Sequence, residues 1–122
     1  MTLAIFGIRN CNTMKAAFEW LESHHVPYRF HDYRKAGADR DALMRWCNRL
    51  GWPALVNTRG TTWRKLDASR QNLADEGAAI ELMVEYPSLI RRPVVETESG
   101  ELLVGFSETV FAERLLPPGE HE

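Results

Sequence analysis

The sequence predicts an α/β fold in which a β-α-β segment and a β-β-α segment flank a helical block, and three observations carry that prediction. An apolar run, Leu3-Ala4-Ile5-Phe6, is followed by Met14, Ala17, Phe18 and Leu21 at helical spacing. From Leu43 to about Tyr86 the apolar spacing stays helical. After Pro87 the pattern changes to strands, with Pro93-Val94-Val95-Glu96 and Leu102-Leu103-Val104 on either side of Glu98-Ser99-Gly100-Glu101, a loop of hairpin composition.

Taken in order, the first strand turns through Gly7 to Asn12 into a helix starting near Thr13, with Lys15, Glu19 and Glu22 on its polar side. That helix is expected to end between Ser23 and His25, because Pro27 blocks its continuation. Val26, Tyr28 and Phe30 then alternate with Pro27, Arg29 and His31 as a strand. A polar hinge, Lys35 to Asp39, precedes a helix whose apolar stripe is Leu43, Trp46, Cys47 and Leu50 and whose stop is Gly51. Trp52-Pro53, the polar stretch Asn57 to Lys65, and Asp75-Glu76-Gly77 interrupt the helical region before a last helix over Ala78 to Tyr86. Ser107 is placed to cap a closing helix carrying Val110, Phe111, Arg114 and Leu115, which Pro117-Pro118-Gly119 stops. With the helical block removed, the remaining connectivity is that of the thioredoxin fold. The expected layout is one domain over residues 1–122, its core at about 1–35 and 88–117 and its helical insertion at about 36–87.

A chain of 122 residues is long enough to bury a core without disulfide or metal staples. Its two cysteines, Cys11 and Cys47, form no disulfide framework, and no Cys or His lies at zinc-ligand spacing, so no metal site is expected. The N-terminus has neither a basic stretch nor a long apolar run before a cleavage site, and no segment approaches the roughly 18 apolar residues of a membrane span. A cytoplasmic protein with no membrane partner is the expectation. A net charge of −2 gives no reason to expect direct binding to nucleic acid.

Three places could carry chemistry. Cys11 sits where the first strand passes into a helix, and unpaired N–H groups with the positive end of the helix dipole favour a thiolate there. Arg9 and Lys15 push the same way, while a small apolar residue filling a strand-to-helix turn is the alternative reading. In Arg91-Arg92-Pro93 the proline forces Arg92 into extended backbone at the entry to a strand, although two solvated arginines would look the same. Asn57 to Lys65 is a run of donors and cations suited to an anion or acidic peptide, or else an ordinary loop into a short helix capped by Thr61 or Thr62. His24, His25 and His121 read as surface residues, and His31, beside the sheet's ligand-binding edge, is a weaker candidate. Cys47, on an apolar stripe, reads as core.

Three separated motifs make the chain recognisable. Phe6-Gly7-Ile8-Arg9-Asn10-Cys11-Asn12-Thr13-Met14-Lys15-Ala16, Asn57 to Leu66, and Pro87 to Val94 followed by Val104-Gly105-Phe106-Ser107-Glu108 together resemble the arsenate reductase (ArsC)-like family, closest to its YffB branch, a relative of the Spx regulator. The resemblance implies a thioredoxin-like core with a helical insertion. It assigns Cys11 as the nucleophile, Arg92 and Arg59 as the arginines that hold a substrate anion, and Pro93 as a cis-proline facing Cys11. Asn12, Thr13, Lys15 and Pro93 complete the expected anion-binding set.

By the same resemblance, no cofactor is tightly bound and glutathione acts as co-substrate towards a small-molecule or protein disulfide. The family's third oxyanion arginine falls near Val104-Gly105-Phe106, where this chain has none, which implies a poor arsenate reductase. Redox-switching relatives carry a second cysteine three residues after the first, and here that residue is Met14. A one-thiol site needs an outside thiol to complete turnover. The Spx likeness implies a second reading, a regulator that docks on RNA polymerase without turnover.

Overall fold

The computed structural model describes residues 2–117. In chain order the elements are β1 (Leu3–Gly7), α1 (Asn12–Ser23), β2 (Tyr28–Asp32), α2 (Tyr33–Ala36), α3 (Arg40–Leu50), α4 (Thr61–Lys65), α5 (Ala68–Gln71), α6 (Glu76–Glu85), β3 (Val94–Glu96), β4 (Leu102–Val104) and α7 (Glu108–Leu115). Single 3-10 turns cover Trp52–Ala54 and Pro87–Leu89. The fold is mixed α/β, as the sequence predicts.

The chain divides into two compact units. The first takes the residues up to His31 and those from Arg92 onward, and the second is Asp32–Arg91. In the first, four strands form one sheet in the order β2-β1-β3-β4. β1 and β3 are antiparallel, with Phe6 opposite Val94, and β3 and β4 are antiparallel, with Val95 opposite Leu103. The alternation of β1 buries Leu3 and Ile5 on the α1 side, where they meet Met14, Ala17, Trp20 and Leu21 of the helix, Val95, Leu103 and Phe111. Trp20 stands edge-on to Phe111 at 5.4 Å between ring centroids, which ties α1 to α7. Ser107 caps α7 by accepting the Val110 N–H at 3.3 Å, while Val110 itself is exposed and only Phe111 of the expected stripe is fully buried.

The hairpin between β3 and β4 closes with Gly100 at φ 96°, and the Thr97 N–H bonds the Glu101 carbonyl at 3.0 Å. β2 starts at Tyr28 and not at Val26, because the Val26 N–H is held by the Leu21 carbonyl at 2.9 Å as α1 ends. Pro118, Gly119 and His121 lie outside the described residues.

The second unit departs from expectation in several places, each with a local cause. The expected hinge begins as a short helix: the Asp32 carboxylate accepts the Arg34 N–H at 2.9 Å and starts α2. In α3 the buried face is Ala42, Leu43, Trp46 and Cys47, and Leu50 is 40 % exposed because the chain leaves the helix at once through Gly51. Neither threonine caps α4. Gly60 is its N-cap, Thr61 is its first residue, and the Thr62 hydroxyl shares a 2.7 Å hydrogen bond with the Ser88 hydroxyl. Asp75-Glu76-Gly77 is a helix start and not a break, since the Asp75 carboxylate accepts the Ala78 N–H at 2.9 Å and α6 runs from Glu76.

Candidate functional site

Cys11 is the N-cap of α1, with extended backbone (φ −148°, ψ 133°), and its carbonyl accepts the Lys15 N–H at 2.9 Å. A capping oxygen is absent there; sulfur faces the open first turn. The cysteine is partly buried and packs against the core of the first unit. Desolvation pushes its thiol up, but the N–H groups of Met14 and Thr13 and the guanidinium of Arg92 outweigh that and hold it below the ordinary thiol value. Half-buried Arg92 precedes Pro93 through a cis peptide bond, and Pro93 is buried at the entrance to β3. A lowered thiol and a guanidinium are thus brought together by the end of β1, the start of α1 and the start of β3.

The other expected site residues are placed as follows. Asn12 and Thr13 open α1 with exposed side chains, and it is the backbone of Thr13 that acts on the sulfur. Lys15 is exposed one turn on. Arg59 belongs to the second unit, where its N–H donates to the Asn57 side-chain oxygen at 3.0 Å and its side chain is exposed. Arg9 does not serve as the cation for Cys11. Its guanidinium lies over the rings of Phe30 (5.0 Å) and Phe18 (5.9 Å), a cation–π seat that turns it onto the aromatic face of α1 and β2. His31 stacks on Phe6 at 4.6 Å, and exposed His24 stacks on Trp20 at 4.1 Å.

Cys47 is buried on α3. Burial, with a smaller contribution from the Glu76 carboxylate, pushes its thiol up to about 11. One participant escapes sequence reasoning: Met14 supplies an N–H to the sulfur, yet its side chain reads only as part of an apolar stripe. Among the described residues no group of three or more His, Cys, Asp or Glu is arranged to hold a metal ion. Nor, among them, is any helix long and apolar enough to cross a membrane.

Residues 6–113 match the family model described as the ArsC family. An uncharacterized protein of Haemophilus influenzae is 41 % identical over 109 residues, covering 89 % of this chain and 95 % of that protein. The global transcriptional regulator Spx of Streptococcus pyogenes is 29 % identical over 108 residues, 87 % of this chain and 79 % of its own. Among solved structures, the YffB protein superposes with a TM-score of 0.87 at 48 % identity, over 91 % of this chain and 96 % of that one. An arsenate reductase (ArsC) related protein from Brucella melitensis gives a TM-score of 0.74 at 41 % identity, over 96 % and 97 % of the two chains.

Proposed function

The chain belongs to the ArsC family, and from that premise we propose that it is a cytoplasmic thiol–disulfide oxidoreductase with Cys11 as its nucleophile and glutathione as its co-substrate. The observation that carries this reading is the Cys11 sulfur at the open end of α1 beside the Arg92 guanidinium, a setting that favours the thiolate.

In the first step the Cys11 thiolate attacks one sulfur of a substrate disulfide. A bond forms between the two sulfurs, the substrate S–S bond breaks, and the other half leaves as a thiolate that takes a proton from water. In the second step a glutathione thiolate attacks the substrate sulfur of the mixed disulfide and expels Cys11 as thiolate, leaving a glutathione–substrate disulfide. Arg92 and the Thr13 and Met14 N–H groups stabilise the Cys11 thiolate both before attack and as leaving group. Arg59 enters only as the family likeness assigns it, an anion-holding arginine, and Arg59→Ala tests that role by itself.

Mass spectrometry after treatment with oxidised glutathione, paired with a glutathione-coupled assay, tests the reading. The expected result is one glutathione adduct, on Cys11, and disulfide reduction whose rate follows glutathione concentration, with arsenate a poor substrate. Similarity to Spx favours a second reading, a regulator docking on RNA polymerase without turnover. Absence of the adduct, together with polymerase binding that Cys11→Ser leaves intact, would overturn the enzyme in favour of that regulator.

A further inference from the structure

We propose that Gly7 is a positioning residue for Cys11: the space left by its missing side chain lets the Met14 thioether and the stem of Arg92 close towards one point, which seats the Met14 N–H and the Arg92 guanidinium against the sulfur. The inference rests on the reading of Cys11 as nucleophile.

A Cβ placed on Gly7 would lie 2.6 Å from the Met14 Sδ, 2.8 Å from its Cε and 3.4 Å from the Arg92 Cβ. The first two separations are below any real contact, so a side chain at position 7 forces movement at the residue beside it. Backbone conformation does not demand the glycine. Among the described residues the positive-φ glycines are Gly37, Gly51, Gly100 and Gly105, and Gly7 is the last residue of a regular strand. Its requirement is space.

Only the Met14 thioether would clash there, the Arg92 Cβ being at ordinary contact distance, and both residues also reach Cys11. Met14 contributes its backbone N–H and Arg92 its guanidinium. Met14 is fully buried in one cluster with Ile5, Ala17 and Leu21, so its thioether can make way only by repacking against them and shifting the helix turn that carries it. An added methyl at position 7 therefore acts through Met14 on the first turn of α1, which ends at the sulfur. Met14 thereby acquires a role of its own as the packing partner that Gly7 admits.

Gly7→Ala, Gly7→Ala/Met14→Ala and Met14→Ala, compared with the parent by the pH dependence of Cys11 alkylation, test the proposal. In Gly7→Ala the titration midpoint is expected to rise by about one unit, with alkylation below the midpoint about tenfold slower. Removing the methionine's far end in the double variant should return the midpoint to within a few tenths of the Met14→Ala value. A Gly7→Ala protein that loses stability while its midpoint stays put makes Gly7 a packing residue only and overturns the proposal. So does a double variant with no rescue.

The clash is with the far end of a flexible side chain, so Gly7→Ala is expected to fold. Should it not, Met14→Phe overfills the same space from the other side. An unchanged midpoint there overturns the proposal as well. The parent separates the two readings: a parent midpoint at or above ~8.5 fails the nucleophile reading, whereas a low parent midpoint unmoved in Gly7→Ala fails only the positioning one.

Discussion

The two cysteines of this chain are the same side chain at opposite ends of their helices. Cys11 precedes the first turn of α1, where N–H groups point outward, and Cys47 lies in the last turn of α3, where the Gly51 N–H already takes its carbonyl at 2.8 Å. The dipole favours a negative sulfur at the first position and disfavours one at the second. Charge adds to the contrast, since Arg92 is beside Cys11 and the Glu76 carboxylate acts on Cys47. Burial raises both thiols; only at Cys11 is it outweighed. The difference between the two thiols thus follows from where on a helix each sits and which charge stands by it.

The comparison breaks most sharply by removing each sulfur in turn. Cys11→Ser is expected to lower turnover on the order of a thousandfold or more with little change in stability. Cys47→Ser is expected to keep turnover and lose about 1–3 kcal/mol, because a hydroxyl replaces a thiol on an apolar face. Rate assays and denaturant titrations on the two variants read both effects. Loss of turnover in a well-folded Cys47→Ser would make Cys47 a resolving thiol.

Removing the cation comes next. Arg92→Ala should raise the Cys11 midpoint by about one unit, roughly 1.4 kcal/mol, and slow the reaction accordingly. Arg92→Lys should recover only part, since an ammonium presents a point charge in place of a planar fork. Equal rates in Arg92→Ala and the parent would return this arginine to a solvated loop.

For Cys47 the effect is on stability against pH. Its folded thiol titrates near 11, above the ~8.5 of the unfolded chain, so the folded state holds the proton more tightly between those values. Stability should therefore fall as pH rises from about 8.5 to 11, and Cys47→Ala should remove that portion of the slope. Urea midpoints across this pH range show it. The smallest effect is at Arg9: Arg9→Ala should cost about 0.5–1 kcal/mol through its rings and leave the Cys11 midpoint nearly unmoved.

Much of this contrast is legible in the sequence, for local reasons. The period of Met14, Ala17 and Leu21 puts Cys11 at a helix start, Leu43, Trp46 and Cys47 put the second thiol on a buried stripe, and Ser107 caps its helix through a hydroxyl three residues from its partner. What escapes depends on contacts distant in the chain or on geometry finer than spacing. Arg9 reads as a cation for the neighbouring cysteine, but the rings that capture it come from Phe18 and Phe30. Leu50 keeps the stripe's spacing yet sits where the chain turns away. Trp20 packs edge-on against Phe111, ninety-one positions on. Gly7 reads as a turn residue because spacing records no steric volume, and its neighbours become visible only when Met14 and Arg92 are seen to converge on it.

The central claim, that helix position and a neighbouring guanidinium make one thiol reactive and leave the other inert, is tested most directly by alkylating the native protein across pH and mapping each modified cysteine by mass spectrometry. The account predicts that Cys11 is modified with a midpoint below ~8.5 while Cys47 remains unmodified until the protein unfolds. A Cys11 midpoint at or above that value, or modification of both thiols at the same rate in the folded protein, would contradict it.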